Sequence, residues 1–150
     1  MDIGSALDAL ATIHGTLSIT SPIAASIKKV HTYAPNRDST LPDTPCWMLT
    51  WSFRELQEGM SGRRFQVYTV RCQLFIEDAD LNRAAAIATA FHVAWIDLMD
   101  QHNQLGGTVT KIDRRGGEPT LGLLTWAEKP YVGLDLYLDL HLVDSTTYSA

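Results

Sequence analysis

The clearest pattern in the chain is the alternation of apolar and polar side chains from Tyr131 to Asp144, which reads YVGLDLYLDLHLVD. Side chains of a strand alternate between its two faces, so the leucines at the even positions share one face. The opposite face carries Asp135, Tyr137, Asp139 and His141. The pattern predicts a strand of an antiparallel sheet with a buried leucine face and a solvated polar face. Another apolar element must then cover the leucines.

The segment from Asp80 to His102 predicts that cover. Its apolar residues recur at intervals of three and four, as on one face of an α-helix. They are Ala84, Ile87, Ala88, Phe91, Trp95, Leu98 and Met99. Asp78 or Asp80 is placed to cap this helix, and Gly106 with Gly107 follows as a stop signal.

The N-terminal part of the chain predicts smaller elements. Ser5 and Asp8 form a capping box ahead of apolar residues at helical spacing, which predicts a first helix. The spaced residues are Leu7, Leu10, His14 and Leu17. Ser21 to Ser26 is either a linker or one helical turn. Ile27 to Tyr33 mixes β-branched and aromatic residues with lysines, which is typical of an edge strand.

The middle of the chain predicts a β-hairpin. Cys46 to Phe53, CWMLTWSF, is apolar enough for a strand buried largely on both faces, with Trp47 and Trp51 sharing one face. Arg64 to Ile76 is a long β-rich run. The polar segment Arg54 to Arg63 between them predicts a long hairpin tip.

The C-terminal part predicts two strands before the leucine strand. They run from Thr108 to Arg114 and from Thr120 to Trp126, with a turn at Arg115 to Pro119. The predicted fold class is therefore α+β, with two main helices packed on one face of a mostly antiparallel sheet. The length and the hydrophobic content of 45% predict one globular domain over residues 1–150.

Charge and cysteine content narrow the function classes. The net charge of -5 gives no basic footprint of the kind that holds nucleic acid by its phosphates. No apolar run reaches the roughly 20 residues of a membrane helix, and the N-terminus lacks the pattern of a secretion signal. Cys46 and Cys72 lie in predicted strands and are expected to be free, buried thiols. These features predict a protein made and folded in a cytoplasm.

The sequence contains no common catalytic motif. GxSxG, GxxxxGK[ST], HExxH and CxxC are absent, and the five histidines are dispersed over separate elements. We therefore predict no catalytic residue, metal or cofactor. Asp135 and Asp139 share a strand face about 13 Å apart, which exceeds the spacing of a glycosidase pair and predicts solvated carboxylates. The glycines of LGGTVT follow a helix and enter a strand, so they predict a turn rather than a phosphate loop.

Two polar segments are candidates for contact with partners. The hairpin tip contributes Arg54, Glu55, Glu58, Arg63 and Arg64. Long loops of this kind often carry function, although a merely flexible tip is an equal alternative. Arg114 and Arg115 form a basic turn suited to an acidic partner, with a plain solvated turn as the alternative.

Taken together, the segments LPDTPCWML, DADLNRAAA, LGGTVTKIDRR and PYVGLDLYLDL resemble, in order and spacing, the tail terminator proteins of long-tailed bacteriophages. These are also described as tail completion or minor tail proteins. The LGGTV and YVGLDLYL segments carry most of the resemblance, and no catalytic residue anchors it.

The resemblance implies a structural virion protein that assembles in the host cytoplasm. Its copies would form a homohexameric ring that caps the tail tube, ends tube polymerisation and provides the surface for head-tail joining. The implied partners are further copies of the chain, the tail tube protein and a head-neck connector protein. DNA would pass through the ring without specific binding, and acidic wall residues are hypothesised at Asp135, Asp139 and Asp144.

Two alternatives stay open. The first is another neck or connector ring protein on the head side, since such proteins share a small α+β build. The second is a small enzyme or ligand-binding domain with a pocket between helix and sheet, using Tyr68, His92 or Trp126. Solution mass separates these classes, because a ring is several times heavier than a monomer that binds metabolites.

Overall fold

The computed structural model describes residues 2–21, 23–32, 41, 43–58, 63–77 and 80–145, with the backbone alone at 57, 58, 63, 115–123, 144 and 145. It contains two α-helices and a mostly antiparallel sheet, which confirms the predicted α+β class. The described elements are α1 (Ile3–His14), β1 (Ser18–Ile19), β2 (Ala25–Ser26), β3 (Lys29–His31), β4 (Cys46–Glu58), β5 (Arg63–Ile76), α2 (Leu81–Gln101), a 3₁₀ turn (Leu105–Gly107), β6 (Lys111–Trp126) and β7 (Lys129–Ser145).

Five strands form the main sheet in the order β3-β4-β5-β7-β6. β3 runs parallel to β4, and the other three pairings are antiparallel. The leucine strand β7 lies between β5 and β6 and pairs with both along most of its length. β1 and β2 form a separate two-stranded antiparallel sheet.

The main core lies between the two helices and one face of the sheet. α2 buries Ala84, Ile87, Ala88, Phe91, Trp95 and Met99, and the even-numbered leucines of β7 are all buried in the same cluster. This confirms the predicted helical cover over the leucine face. Asp80 caps α2 by accepting hydrogen bonds from the N–H groups of Asn82 and Arg83. α1 adds Ala6, Leu7, Leu10 and His14 to the core.

A second, smaller core lies on the opposite face at one end of the sheet. It contains Leu41, Cys46, Met48, Phe75 and Tyr131, with Leu124 and Trp126 packed against it. The N–H of Leu41 donates to the hydroxyl oxygen of Tyr131 at 3.1 Å, which satisfies two polar groups as they are buried. This end of the sheet is therefore closed on both faces, which explains why Tyr131 to Leu134 are all buried.

The start of α1 differs from the prediction. The carboxylate of Asp2 accepts hydrogen bonds from the Ser5 N–H at 2.8 Å and the Ser5 hydroxyl at 3.0 Å. The helix therefore begins at Ile3 with Asp2 as its cap, and the predicted Ser5 and Asp8 capping box is wrong. The Asp2 carboxylate satisfies a free N–H group of the first helical turn, so the helix begins three residues earlier than it would with Ser5 as its cap.

The predicted β-hairpin is confirmed, because β4 and β5 pair antiparallel, but the predicted bounds of its tip are wrong. β4 continues through Glu58 and β5 begins at Arg63, so Arg54 to Glu58 and Arg63 belong to strands, while residues 59–62 lie outside the described residues. A β-bulge between Phe53 and Glu55 lets β4 stay paired with β5 despite its polar sequence. Burial on both faces ends at Leu49, because Trp51 and Phe53 are about half exposed. Trp47 and Trp51 do share a face, as predicted, since both lie at odd positions of β4.

The two predicted strands after α2 form the single strand β6. The chain stays paired with β7 on both sides of an irregularity between Arg115 and Thr120. Ser21 to Ser26 does not form a helical turn, because Ala25 and Ser26 pair with Ile19 and Ser18 in the described part of that segment. The edge strand predicted at Ile27 to Tyr33 is confirmed in the shorter form of β3, while Tyr33 lies outside the described residues.

Candidate assembly surfaces

Among the described residues, the main sheet has two strand edges without a neighbouring strand. β3 pairs with β4 only from Cys46 to Met48. Beyond Met48, no described strand pairs with β4 on the side away from β5, and Trp51 to Leu56 are all exposed. At the opposite side of the sheet, β6 has β7 as its one neighbour within the described ranges. Unpaired N–H and C=O groups along such edges are ready to pair with another strand.

An aromatic patch lies on the β4 edge, on the face of the sheet that carries α2. We define it as Trp51, Phe53, Leu56 and Tyr68. The Tyr68 ring makes edge contacts with Trp51 at 5.5 Å and with Phe53 at 5.3 Å between centroids. Trp51, Phe53 and Leu56 are each about half exposed, so the patch extends past the helical cover. Exposed aromatic clusters of this kind are typical of protein interfaces.

The polar face of the sheet carries ion pairs rather than solvated carboxylates. Arg71 forms a bidentate pair with Asp135, with atom separations of 2.9 and 2.6 Å. The hydrogen bonds to Asp135 raise the pKa of Arg71 above its ordinary value. The Arg71 guanidinium also lies 5.8 Å from the ring centroid of Tyr137. Asp135 is thus charge-paired within its own chain.

Asp139 is the most deeply buried charge on this face. Its side chain is only 6% exposed, and it accepts a hydrogen bond from Arg54 at 2.6 Å and one from the Thr69 hydroxyl at 2.9 Å. Arg54 reaches it from the bulge of β4, across β5. The prediction that Asp139 is solvated is wrong, because this long-range partner lies 85 residues away in the chain.

A third charged group surrounds Asp113. Its carboxylate lies 2.9 Å from Nε2 of His141 and 3.5 Å from Nζ of Lys111. All three side chains are at the surface near the β6 edge. Unlike Asp139, this group remains accessible to solvent and to a partner.

Ion pairs compensate three carboxylates of the polar face. Three cations, Arg54, Arg71 and Lys111, accompany the carboxylates of Asp113, Asp135 and Asp139. The hypothesis that Asp135 and Asp139 are wall residues stays a prediction, and an arginine of the same chain compensates the charge of each. The side chain of Asp144 lies outside the described part of the chain.

The candidate contact residues are spread over several elements rather than one tip. Arg54 is engaged with Asp139, whereas Glu55 is exposed on β4 and Arg64 is half-buried on β5. Arg114 lies in strand β6 and not in a turn, and its Nη1 is 3.1 Å from Asp100 at the end of α2. The side chains of Glu58, Arg63 and Arg115 lie outside the described residues.

The residues proposed for a pocket between helix and sheet do not converge. Tyr68 pairs with Leu140 of β7, whereas Trp126 pairs with Lys129 at the other end of that strand. His92 stacks on Trp95 of α2, and burial lowers its pKa. A separate groove of about 450 Å³ lies where the end of α2 meets the β6 edge. It is lined by Met99, Asp100, Asn103, Ile112, Asp113 and Arg114.

The described residues offer little for catalysis. They hold no group of three His, Cys, Asp or Glu side chains that would bind a metal. Cys46 and Cys72 are free and buried, as predicted. Burial raises the pKa of Cys46 to about 12 and raises that of Cys72 as well, so neither forms a reactive thiolate. Neither described helix is long and apolar enough to span a membrane.

The chain matches no protein-family model, and no curated protein is similar enough to match it.

Proposed function

We propose that this protein is a structural component of a long-tailed bacteriophage virion. Its copies form a ring on the last ring of the tail tube, end tube polymerisation and present the surface for head-tail joining. The observation that carries the proposal is that two edges at opposite sides of one sheet, β4 beyond Met48 and β6, have no further strand neighbour in the described part of the chain. A subunit with two different free edges is suited to repeated contact between identical copies.

The directions of the two edges are compatible with a closed ring. β4, β5, β7 and β6 alternate in direction, so β4 and β6 run in opposite directions. Copies related by rotation about an axis along the strands would bring β4 of one beside β6 of the next in antiparallel orientation. Such head-to-tail contacts generate a ring whenever the rotation closes. Strand addition at a sheet edge is a common mode of recognition.

The charge distribution supports DNA passage without specific binding. The chain carries a net charge of -5. Three cations of the polar face, Arg54, Arg71 and Lys111, each lie against a carboxylate of the same chain. A paired cation attracts phosphate less than a free one, so DNA is not held. The proposal includes no reaction, metal or cofactor.

Deletion of the gene tests this function. We expect tails of uncontrolled length that fail to join filled heads, with normal tails restored by the wild-type gene in trans. Complementation with Asp97→Lys is a matched control, because Asp97 is exposed on α2 and belongs to neither strand edge. Tails of normal length and normal joining after deletion would refute the proposal.

Addition of the purified protein to tail tubes distinguishes the head-side alternative. We expect rings at tube ends in electron micrographs, and a solution or tube-bound mass several times 16.6 kDa. Rings found on the head side, with tube ends left bare, would support a connector protein instead. A stable monomer that binds metabolites and ignores tubes would support the ligand-binding alternative.

A further inference from the structure

The two open edges lie at the same height along the strand direction. Cross-strand pairing through β5 and β7 connects each residue of the β4 edge with one residue of the β6 edge in the same row. Each row ends in one residue of β4 and one residue of β6. These pairs are Trp51 and Arg114, Ser52 and Asp113, Phe53 and Ile112, and Glu55 and Lys111. A copy displaced sideways without sliding along the strands places these row ends opposite each other.

The rows on the helix side join complementary groups. Phe53 is half exposed, and Ile112 lies in the groove at the end of α2, so their contact would bury two apolar side chains. Trp51 would meet Arg114, whose side chain is 43% exposed and is held by Asp100. That leaves a face of the guanidinium available for a cation–π contact with the indole ring.

The rows on the polar side are complementary as well. Glu55 is exposed and acidic, and Lys111 has a side-chain exposure of 60% and is basic. Ser52 offers a hydroxyl donor, and Asp113 is an exposed carboxylate acceptor. Opposite charges facing each other across strands stabilise the pairing, whereas like charges destabilise it.

We propose that β4 of one copy pairs with β6 of a second copy in this register, with the aromatic patch seated against the groove at the end of the neighbour's α2. The β-bulge at Arg54 is part of this register. Across the bulge, β4 advances by two residues, from Phe53 to Glu55, while β6 advances by one, from Ile112 to Lys111. The partner is a second copy of the chain, because the residues that complement the β4 edge lie on the β6 edge of the same chain. The proposal rests on the proposed ring and names the interface that builds it.

Cysteine cross-linking between two differently substituted full-length chains tests the register. Ser52→Cys mixed with Asp113→Cys, and Phe53→Cys mixed with Ile112→Cys, probe adjacent rows. Adjacent rows of an antiparallel pair alternate between wide and close spacing, so at least one mixture meets disulfide geometry. The native thiols are buried and do not compete.

We expect a cross-linked dimer from at least one matched mixture, both in concentrated protein and on tail tubes. Ser52→Cys mixed with Lys111→Cys is the control, because it requires a slip of two residues. A stronger cross-link in this control, or none in either matched mixture, overturns the register. Rings that cross-link only in the slipped mixture would leave the proposed function standing, whereas normal tails after gene deletion would refute that function alone.

A charge exchange provides an independent measurement. We expect Glu55→Lys to raise the concentration for half-assembly by about fivefold or more, because it sets two cations opposite each other. Adding Lys111→Glu should restore assembly, and Asp97→Lys should leave it unchanged. Equal effects of Glu55→Lys and Asp97→Lys, or a double variant no better than the single one, would overturn the proposed pairing.

Discussion

His14 joins α1 to α2 and to the sheet, and its titration gives a sharp test of the core. Its ring is fully buried at the end of α1. Nδ1 lies 2.8 Å from the carbonyl oxygen of Leu10, and Nε2 lies 3.0 Å from Nε1 of Trp95. A carbonyl oxygen only accepts and an indole N–H only donates, so Nδ1 must carry the proton and the ring must be neutral. The Trp47 ring packs against it edge-on at 4.9 Å.

Burial lowers the pKa of His14 from 6.5 to about 4, and this outweighs the opposing effect of the hydrogen bond to Leu10. The unfolded chain therefore binds more protons than the folded one between these values, and stability is lost as the pH falls through that range. The gap corresponds to about 3 kcal/mol, at about 1.4 kcal/mol for each pH unit. That is a large share of the roughly 5 to 15 kcal/mol by which domains are stable.

The assay is urea unfolding of the wild type and of His14→Gln at a series of pH values from about 7.5 to about 3.5. The pKa values of His31 and His92 are also lowered by burial, but these residues affect both proteins alike and cancel in the difference. We expect the wild type to lose about 3 kcal/mol more than the variant across the range. Parallel pH profiles, or a His14 ring that titrates at or above 6.5 by NMR in the folded wild type, would refute the reasoning.

Three further substitutions test the fold by thermal and urea unfolding. Asp139→Ala leaves Arg54 without its partner and should cost about 2 kcal/mol, towards the low end for a buried pair because Arg54 is half exposed; a loss below about 0.5 kcal/mol would contradict this. Gly133→Ala places a Cβ 1.6 Å from the carbonyl oxygen of Leu74, so we expect a loss of about 3 kcal/mol or more, and unchanged stability would show that β5 and β7 are less close there. Asp80→Ala removes the cap of α2 and should cost about 1 kcal/mol, whereas Asp80→Asn should retain most of it; equal losses would argue against capping.

The strongly periodic elements were predictable from sequence. β7 alternates apolar and polar residues over its length, and α2 repeats apolar residues at three and four, so each pattern fits one type of element. Both were predicted within a residue or two of their observed bounds. In each case the element's own apolar face determines which of its sides is buried.

Elements stabilised mainly by a neighbouring strand were not predictable. Arg54 to Glu58 has a polar sequence that is typical of a loop, yet it continues β4 because β5 supplies its pairing and the bulge absorbs the mismatch. The segment from Arg115 to Pro119 contains turn residues, and β6 runs through it although its pairing with β7 shifts register between Arg115 and Thr120. In β4, local preference lost to pairing with a neighbouring strand.

The candidate interface depended even more on long-range structure. The exposure of Trp51 follows from where the helical cover ends, which the strand's own sequence does not record. The pairing of Arg54 with Asp139 joins residues that are distant in the chain. The row that links Glu55 to Lys111 passes through two intervening strands, so it exists only once all three registers are set.

The small core around Leu41 and Tyr131 makes the two ends of the subunit unlike. One end of the sheet is sealed on both sides, whereas the end with Phe53 and Leu56 presents aromatic and aliphatic surface to solvent. A closed circle of such subunits would have two chemically different rims. That polarity would let one rim recognise a tube and the other a head, with no need for a second kind of protein to orient it.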